Sequence, residues 1–336
     1  MKVAVTGGSG QLGTLVLQRL VDDPGVERVF DLDMRPPKVV SGKLSFRQAD
    51  VRDGDLMEDL LRGCDALVHL AFVVTPHLPH EVFEAINVEG SKNAFRAAAA
   101  AGVGRIVYCS SIAAYGVVPG HPRPIVEDTP RVFQRDFPYA AAKHLIEDFL
   151  DGFEVKHPQI SIARLRPSIL MGRGHGSVLA RLFGLCLDRG LLPATSAMPV
   201  PLVWDEDLAD AVVLALARGA RGAFNVSADD PLPPAELAAA AGLRHLPLPS
   251  TVLGFATRLS PLLARLGLGE PVDPAWQRHA EVAMVPSSER ARSELGWRPS
   301  CATAVDVVRR QLAVSSGDAR VALTSGGRPA RETPRG

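Results

Sequence analysis

The chain has 336 residues, 46% of them apolar, and balances 37 Lys+Arg against 37 Asp+Glu. This length suits one large α/β domain, alone or with a small lobe, and the apolar share excludes a wholly disordered chain. Zero formal net charge removes the electrostatic footprint of a nucleic-acid or anionic-membrane binder, and no apolar run approaches the ~20 residues of a membrane span.

Short β-branched runs alternate with helical stretches over the first 165 residues. Strands are predicted at Lys2–Thr6, Arg28–Asp33, Leu44–Ala49, Ala66–Leu70, Arg105–Cys109 and Ile160–Leu165. Helical patterns fill 11–22, 54–62, 80–101 and 138–156. This alternation predicts βαβ units, hence an α/β, Rossmann-type, doubly wound parallel sheet covered on both faces. After residue 166 the rhythm changes: a glycine-rich loop at 172–176, an apolar helix near 177–188, proline punctuation around 200–204, and a helix at Asp205–Arg218 that starts with acids. Gly222–Val226 is a candidate strand returning to the sheet. The expected organisation is a dinucleotide-binding domain at 1–166, with 201–226 returning to it. A small, mostly helical C-terminal lobe at 167–200 and 227–313 would hold the substrate, and 314–336 would form a disordered tail.

The opening MKVAVTGG lacks a signal peptide's basic flank, long apolar run and cleavage site. The four cysteines (Cys64, Cys109, Cys186, Cys301) are far apart and form no CxxC. No metal site is expected, and reduced thiols in the cytoplasm are the natural reading.

Thr6-Gly7-Gly8-Ser9-Gly10-Gln11-Leu12-Gly13 follows the first strand and opens a helix. Glycines at 7, 10 and 13 permit a tight turn, close backbone approach to a pyrophosphate and close helix packing. The helix N-terminus offers N–H groups and positive dipole to the anion. Asp33 lies 20 residues beyond Gly13, at the end of the second strand, where a carboxylate bonds a ribose 2′-OH and repels a 2′-phosphate. NAD is therefore favoured over NADP. Arg35, able to bend back to a phosphate, keeps NADP open. Asp31 is a rival acid on the same side of the strand. Asp50-Val51 follows the third strand, where Asp50 is either an acid within reach of an adenine amino group or a solvated turn residue. Leu70-Ala71-Phe72 ends the fourth, where the cofactor would lie on the sheet edge. His69 reads as a packed core histidine. Asn87 is either a bridge between backbone and cofactor or a helix-packing residue.

Tyr139 and Lys143 are one turn apart, on one face of a helix that starts at Pro138. An ammonium beside a phenol favours the phenolate, so the tyrosine is expected to have a lowered pKa and to exchange a proton near neutrality. Lys143 is also placed to bond a nicotinamide ribose. Ser111 follows the fifth strand, at the carboxyl edge where open α/β sheets bind ligands. Its hydroxyl is a candidate partner for the substrate oxygen that Tyr139 would protonate or deprotonate. Tyr115 either lines the pocket or packs the turn.

These residues carry a resemblance to extended short-chain dehydrogenases/reductases of the NAD-dependent epimerase/dehydratase type. It covers residues 1 to about 312: TGGSGQLG, Asp33, DV at 50–51, HLA at 69–71, NVEGSKN at 87–93, SSIAAYG at 110–116 and YAAAK at 139–143. It continues through RLRPS at 164–168, WDEDLADAV at 204–212, FNVS at 224–227 and LGWRP at 295–299. The resemblance implies that Ser111, Tyr139 and Lys143 are the catalytic triad. It implies cofactor contacts at Gly7, Ser9, Gly10, Gln11, Leu12, Gly13, Asp33, Arg35, Asp50, Val51, Leu70, Ala71, Phe72, Asn87, Tyr139, Lys143, Pro167 and Ser168. Substrate contacts are expected from Val73, Ser111, Tyr115, Met171 and His175. A homodimer through the helices at 80–101 and 138–156 is a family expectation, although a buried intrachain role explains their alanines equally well.

Departures from the family pattern bear on the reaction. Nucleotide-sugar 4,6-dehydratases carry Asp-Glu after the catalytic hydroxyl residue. Here Ile112 and Ala113 stand there, and neither transfers a proton. Epimerases often have an Asn after the RP-like segment, then Tyr-Gly; here Ser168 and Met171-Gly172 occupy that neighbourhood. The stretch from 245 to 275 is rich in Leu and Pro, which either suits a small or apolar carbonyl substrate or simply builds the lobe's core. Arg173, Arg181 and His175 are the groups available to a diphosphate. Three readings stand: hydride transfer between NAD and a small or apolar alcohol or ketone; a nucleotide-sugar epimerase; and a non-enzymatic NAD-binding regulator.

Overall fold

The computed structural model describes residues 1–74, 78–172, 185–194, 196–266, 275 and 281–315. A seven-stranded, all-parallel sheet organises the chain: β1 (Lys2–Thr6), β2 (Arg28–Asp33), β3 (Leu44–Gln48), β4 (Ala66–His69), β5 (Arg105–Cys109), β6 (Ser161–Pro167) and, far later, Gly222–Val226. Its order is Gly222–Val226, β6, β5, β4, β1, β2, β3, so strand order reverses between β1 and β4. That reversal opens a crevice at the carboxyl edge, where such sheets take ligands.

Each central strand splits its apolar side chains between two cores, because successive residues point to opposite faces. Val3 and Val5 join one core and Ala4 the other; Val107 joins the first, Ile106 and Tyr108 the second. The first core is closed by α1 (Gln11–Asp22), through Val16, Leu17 and Leu20. The second is closed by α2 (Gly54–Leu61), reached through Met57 and Leu61. After a short α3 (His80–Glu84), one π-helical turn (Ala85–Glu89) leads into α4 (Gly90–Ala100). Ala94, Ala97 and Ala98 face inward there, so they pack this chain's own sheet. α5 (Pro138–Lys156) completes that layer with Ile146, Leu150 and Phe153; Pro138 suits the first helical turn, where its missing N–H costs nothing.

Beyond β6, a small second layer begins. β7 (Ile169–Met171) and β9 (Leu202–Trp204) pair in parallel, as do β8 (Leu191–Ala194) and β11 (Arg244–Pro247), while β10 (Gly222–Val226) is the strand that rejoins the main sheet. β7, β8, β9 and β11 were not anticipated, being short and proline-flanked. α6 (Asp205–Arg218) starts on Asp205, Glu206 and Asp207, which complement the helix dipole, and packs into the first core. Then come α7 (Pro234–Ala241), α8 (Ser250–Arg265), α9 (Glu289–Leu295) and α10 (Ala304–Ser315). A third core joins Leu192, Trp204, Leu237, Ala304, Val307 and Val308. α10 runs two residues into the stretch expected to be a disordered tail, because Val307 and Val308 anchor it in that core; residues 316–336 lie outside the described residues. The helix anticipated near 177–188 falls mostly outside them as well.

Candidate active site

The loop from β1 to α1 is shaped by close contacts that exclude side chains. Gly7 has φ +78°, and a Cβ there would lie 2.7 Å from Ala71 N. A Cβ on Gly13 would lie 2.1 Å from Gly7 O, so α1 can start this close to the turn only on glycine. At Gly10 an added Cβ would meet only Gly7 O, at 3.2 Å, and this N-cap supplies no side-chain hydrogen bond. Among the described residues the loop is therefore open above Gly10, with the first-turn N–H groups of Gln11, Leu12 and Gly13 aimed along the helix axis. Ser9 donates from both its backbone N–H (3.0 Å) and its hydroxyl (2.9 Å) to Asp33 Oδ2, tying the loop to the end of β2. The Arg35 backbone N–H donates to the other Asp33 oxygen at 3.1 Å, and its guanidinium side is exposed. Gln11 Nε2 reaches Asp205 Oδ2 at 2.9 Å, joining the loop to α6, and Leu12 packs on the first core.

Asp31, set aside as a rival to Asp33, has a different place. It is fully buried under Gly8, whose amide faces it without closing a hydrogen bond of normal geometry, and among the described residues neither carboxyl oxygen has a hydrogen-bond partner. Burial, with Asp33 nearby, pushes its pKa up to about 7.

At the β4 edge, Leu70 and Ala71 pass directly against Gly7, and Phe72 and Val73 continue the segment. Asn87, in the π-helical turn, grips that segment: its Oδ1 accepts from Val73 N (2.8 Å) and its Nδ2 donates to Val73 O (2.9 Å). π turns recur at functional sites, and here one aims an amide at a ligand-edge backbone. Asp50 is engaged by Arg52, whose guanidinium holds the carboxyl below its ordinary range, while Val51 is buried against Gly90. His69 is a core residue: Nδ1 meets Thr6 Oγ1 at 2.8 Å and Nε2 meets Ser91 Oγ at 2.9 Å, and burial pulls its pKa down to about 3.

Ser111, Tyr139 and Lys143 come together at the carboxyl edge of β5. Ser111 accepts from Ala113 N at 3.1 Å and is hydrogen-bonded to the Tyr139 phenol. Lys143 donates to Cys109 O at 2.8 Å, and its Nζ lies 3.8 Å from the centre of the Phe72 ring. The expected lowering of the tyrosine pKa by this lysine is not what the structure has. Lys143 turns to the β5 carbonyl and stands 5.9 Å from the Tyr139 ring centre. Burial pushes the Tyr139 phenol up to about 12, opposed by the Ser111 hydrogen bond, and pulls the Lys143 ammonium down to about 8. Phe72 meets the Tyr139 ring edge-on at 5.5 Å, so the triad is walled by aromatic surface.

Among the described residues Tyr115 packs the turn rather than lining a pocket. It is fully buried, its hydroxyl lies 2.8 Å from Asn225 Oδ1 and 3.1 Å from Val126 O, and it accepts from Arg166 Nη1 at 2.8 Å. The turn after Ser111 needs this anchor because four residues of 3₁₀ helix hold themselves poorly. Ile112 and Ala113, in the places of a dehydratase's acid pair, are both buried in apolar clusters. Pro167 ends β6; Ser168 follows it with its hydroxyl buried and, among the described residues, without a hydrogen-bond partner; Met171 packs on the third core. His175, Arg173 and Arg181 lie outside the described residues.

Sequence reasoning missed two groups. Asp205, reached by Gln11, lies so close to Gly172 that a Cβ there would sit 1.9 Å from Asp205 Oδ2; its mark in the sequence is the acidic start of α6. An open cleft of about 750 Å³ is lined by Val117, Val118, Phe133, Gln134, Arg135 and Glu281, among others. Val117 also packs with Tyr139 against Phe137, so the cleft adjoins the triad.

A glycine loop on a helix N-terminus, an acid at the end of β2 and a Ser-Tyr-Lys cluster at the switch point define a dinucleotide-dependent α/β enzyme site. Residues 3–227 match the NAD dependent epimerase/dehydratase family, and the chain belongs to it. Among similar curated proteins, UDP-glucose 4-epimerase of Streptomyces lividans is 30% identical over 89% of this chain and 92% of its own. An uncharacterized protein of Sinorhizobium fredii is 26% identical, over 88% of this chain and 74% of its own. Among solved structures, DesIV (dTDP-glucose 4,6-dehydratase) from Streptomyces venezuelae, with NAD and TYD bound, superposes with TM-score 0.70, 24% identity, and 95% and 98% coverage. Thermus thermophilus UDP-glucose 4-epimerase, in complex with NAD, gives TM-score 0.69, 24% identity, and 95% and 100% coverage.

Proposed function

We propose that the protein is an NAD-dependent oxidoreductase that moves a hydride between NAD and a secondary alcohol or ketone of small or apolar character. The observation that carries this reading is the Ser111–Tyr139 hydrogen bond beside buried Lys143, with aromatic rather than acidic surroundings. NAD is the family's cofactor, and the chain offers features that fit it: the open cradle over Gly10, the uncapped α1 N-terminus and the unpartnered Ser168 hydroxyl. Gly7, Ser9, Gly10, Gln11, Leu12 and Gly13 would hold the pyrophosphate, Asp33 the adenine ribose, and Leu70–Val73, Asn87, Pro167 and Ser168 the remaining edge. When bound, NAD supplies the hydride acceptor or donor.

The residues then divide the work. Ser111 hydrogen-bonds the substrate oxygen. Tyr139 takes the proton from an alcohol or gives one to a ketone oxygen. Lys143 stands one helical turn below with a charge that favours the phenolate once it swings from Cys109 O toward the ribose. Ile112 and Ala113 leave no acid–base pair for water elimination, which argues against dehydration. The domain assignment follows from the same reading: 1–166 with 201–226 bind the dinucleotide, and 167–200 with 227–313 shape the substrate site.

A second reading, nucleotide-sugar epimerisation, is favoured by the resemblance to the Streptomyces lividans epimerase. It uses the same three residues and returns the hydride to the opposite face. The experiment that separates them is thermal stability of the NAD-saturated protein with UDP, dTDP, GDP and their sugars. A ligand at ~100 times its dissociation constant adds about 2.7 kcal/mol, a shift of a few degrees. Stabilisation by NAD but by none of the nucleotides supports the alcohol/ketone reading; a shift with one nucleotide supports the epimerase.

A further inference from the structure

α8 half-buries Leu253 and Leu263 on its inner side and leaves a second apolar face outward. Its buried residues are Thr257 and Ser260, the latter fully so, while Phe255 is 67% exposed and Leu266, just past its end, 68%. Val252, Phe255, Leu259, Leu262 and Leu266 are all exposed, and their spacing of three and four places them in one stripe along the helix. From Val252 to Leu266 the stripe is about 21 Å long. Scattered exposed apolar residues are ordinary, but four in register on one helix, continued by Leu266 at its C-cap, mark a surface that is covered in use.

The charge beside the stripe narrows what covers it. Arg258 and Arg265 are both exposed, seven residues apart, and border the stripe on the same side. From Glu236 to Glu270 the chain carries no other carboxylate, whereas Arg244, Arg258 and Arg265 all fall between them. A second copy of the helix is a poor partner. With Val252 and Phe255 as the a and d positions, Arg258 and Arg265 are both g, and the e positions are Ala256 and Leu263. Antiparallel pairing would set arginine against arginine, and parallel pairing would set it against Ala256 and Leu263. Two heptads also fall short of the three or four that sustain a coiled coil. The helix is not long and apolar enough to cross a bilayer. An apolar stripe bordered by arginines and free of acids instead suits a helix lying in an anionic lipid interface, with its guanidinium groups at the phosphates.

We propose that α8 is a peripheral membrane-docking helix: Val252, Phe255, Leu259, Leu262 and Leu266 enter the interface of an anionic bilayer, and Arg258 and Arg265 contact its headgroups. The balanced charge of the whole chain hides this because the basic stretch is local. The docking does not depend on which reaction the enzyme catalyses.

The test is cosedimentation of the full-length protein with vesicles of phosphatidylcholine alone and of equal parts phosphatidylcholine and phosphatidylglycerol. The native protein should bind the anionic vesicles at least about tenfold more tightly than the neutral ones, and less tightly as salt rises from about 0.1 to 0.5 M. Phe255→Ser with Leu262→Ser, and separately Arg258→Glu with Arg265→Glu, should each weaken that binding about tenfold or more while NAD still raises the melting temperature as in the native protein. Equal affinity for both vesicle types, no binding to either, or binding unchanged in both variants would overturn the proposal. So would light scattering that shows a dimer dissociated by the Phe255/Leu262 pair, since a second copy would then cover the stripe.

Discussion

Glu147 and Arg166 form a fully enclosed ion pair behind the candidate catalytic serine: Arg166 Nε donates to Glu147 Oε1 at 2.8 Å, and Ser110 Oγ donates to the same oxygen at 2.6 Å. Arg131 and Arg164 approach the same carboxylate, and Arg166 passes on to Tyr115 and to Glu127 O. Glu147 is one turn beyond Lys143 on α5, so the pair locks α5, β6 and the Ser110–Tyr115 turn together.

Removing one partner leaves the other charge buried and alone. Glu147→Ala should therefore destabilise the fold by about 3–5 kcal/mol in urea unfolding. Burial works to raise the Glu147 carboxyl, but the hydrogen bonds and charge of Arg166, with Ser110 and Arg164, hold it down to about 2. A lowered carboxylate stabilises above its unfolded pKa, near 4.3, and that stability drains as pH falls toward 2. Native protein should lose stability in this acid window more steeply than Glu147→Gln; parallel curves would contradict the assignment.

Tyr139→Phe should lower turnover by about 10²–10⁴-fold, the usual worth of a positioned general acid or base, with NAD affinity nearly unchanged. A large loss of NAD binding would place the hydroxyl on the cofactor instead. Lys143→Met should cost both turnover and NAD affinity, since its ammonium is assigned to the tyrosine and the ribose. Retention of full activity at saturating NAD would remove the lysine from the mechanism.

If Asp33 holds the adenine ribose as proposed, Asp33→Ala should narrow the preference for NAD over NADP, because a carboxylate there repels a 2′-phosphate. Dissociation constants for both cofactors, in native and variant protein, check this. Tighter NADP than NAD binding by the native protein would shift the role to Arg35.

Asp31 makes stability depend on pH in the opposite sense. Its carboxyl ionises near 3.8 when exposed and near 7 when buried under Gly8. Between those values the folded state holds a proton that the unfolded chain lacks, so stability should fall as pH rises, by up to ~1.4 kcal/mol per pH unit. Asp31→Asn keeps the shape without the charge and should flatten the profile between pH 5 and 7. Equal slopes in urea unfolding of both proteins would show that Asp31 is not the titrating group.

Local patterns in the sequence determined the Rossmann half. β1, β2, β5, α1, α5 and α6 sit where the apolar periodicity placed them, because a strand buried on both faces and a helix buried on one must write that burial into their residue order. The glycine loop and the Tyr139/Lys143 spacing were legible for the same reason: each is a short-range backbone or one-turn requirement. Only the tertiary structure decided what depends on distant neighbours. Tyr115 became an anchor because Arg166 and Asn225, far along the chain, fill its hydrogen bonds. Asp31 and Asp33 look alike on β2, yet one is buried under Gly8 and the other meets Ser9 at the surface of the loop. The Tyr139 and Lys143 proton affinities follow burial rather than their mutual spacing, since desolvation depends on what the whole fold lays over them.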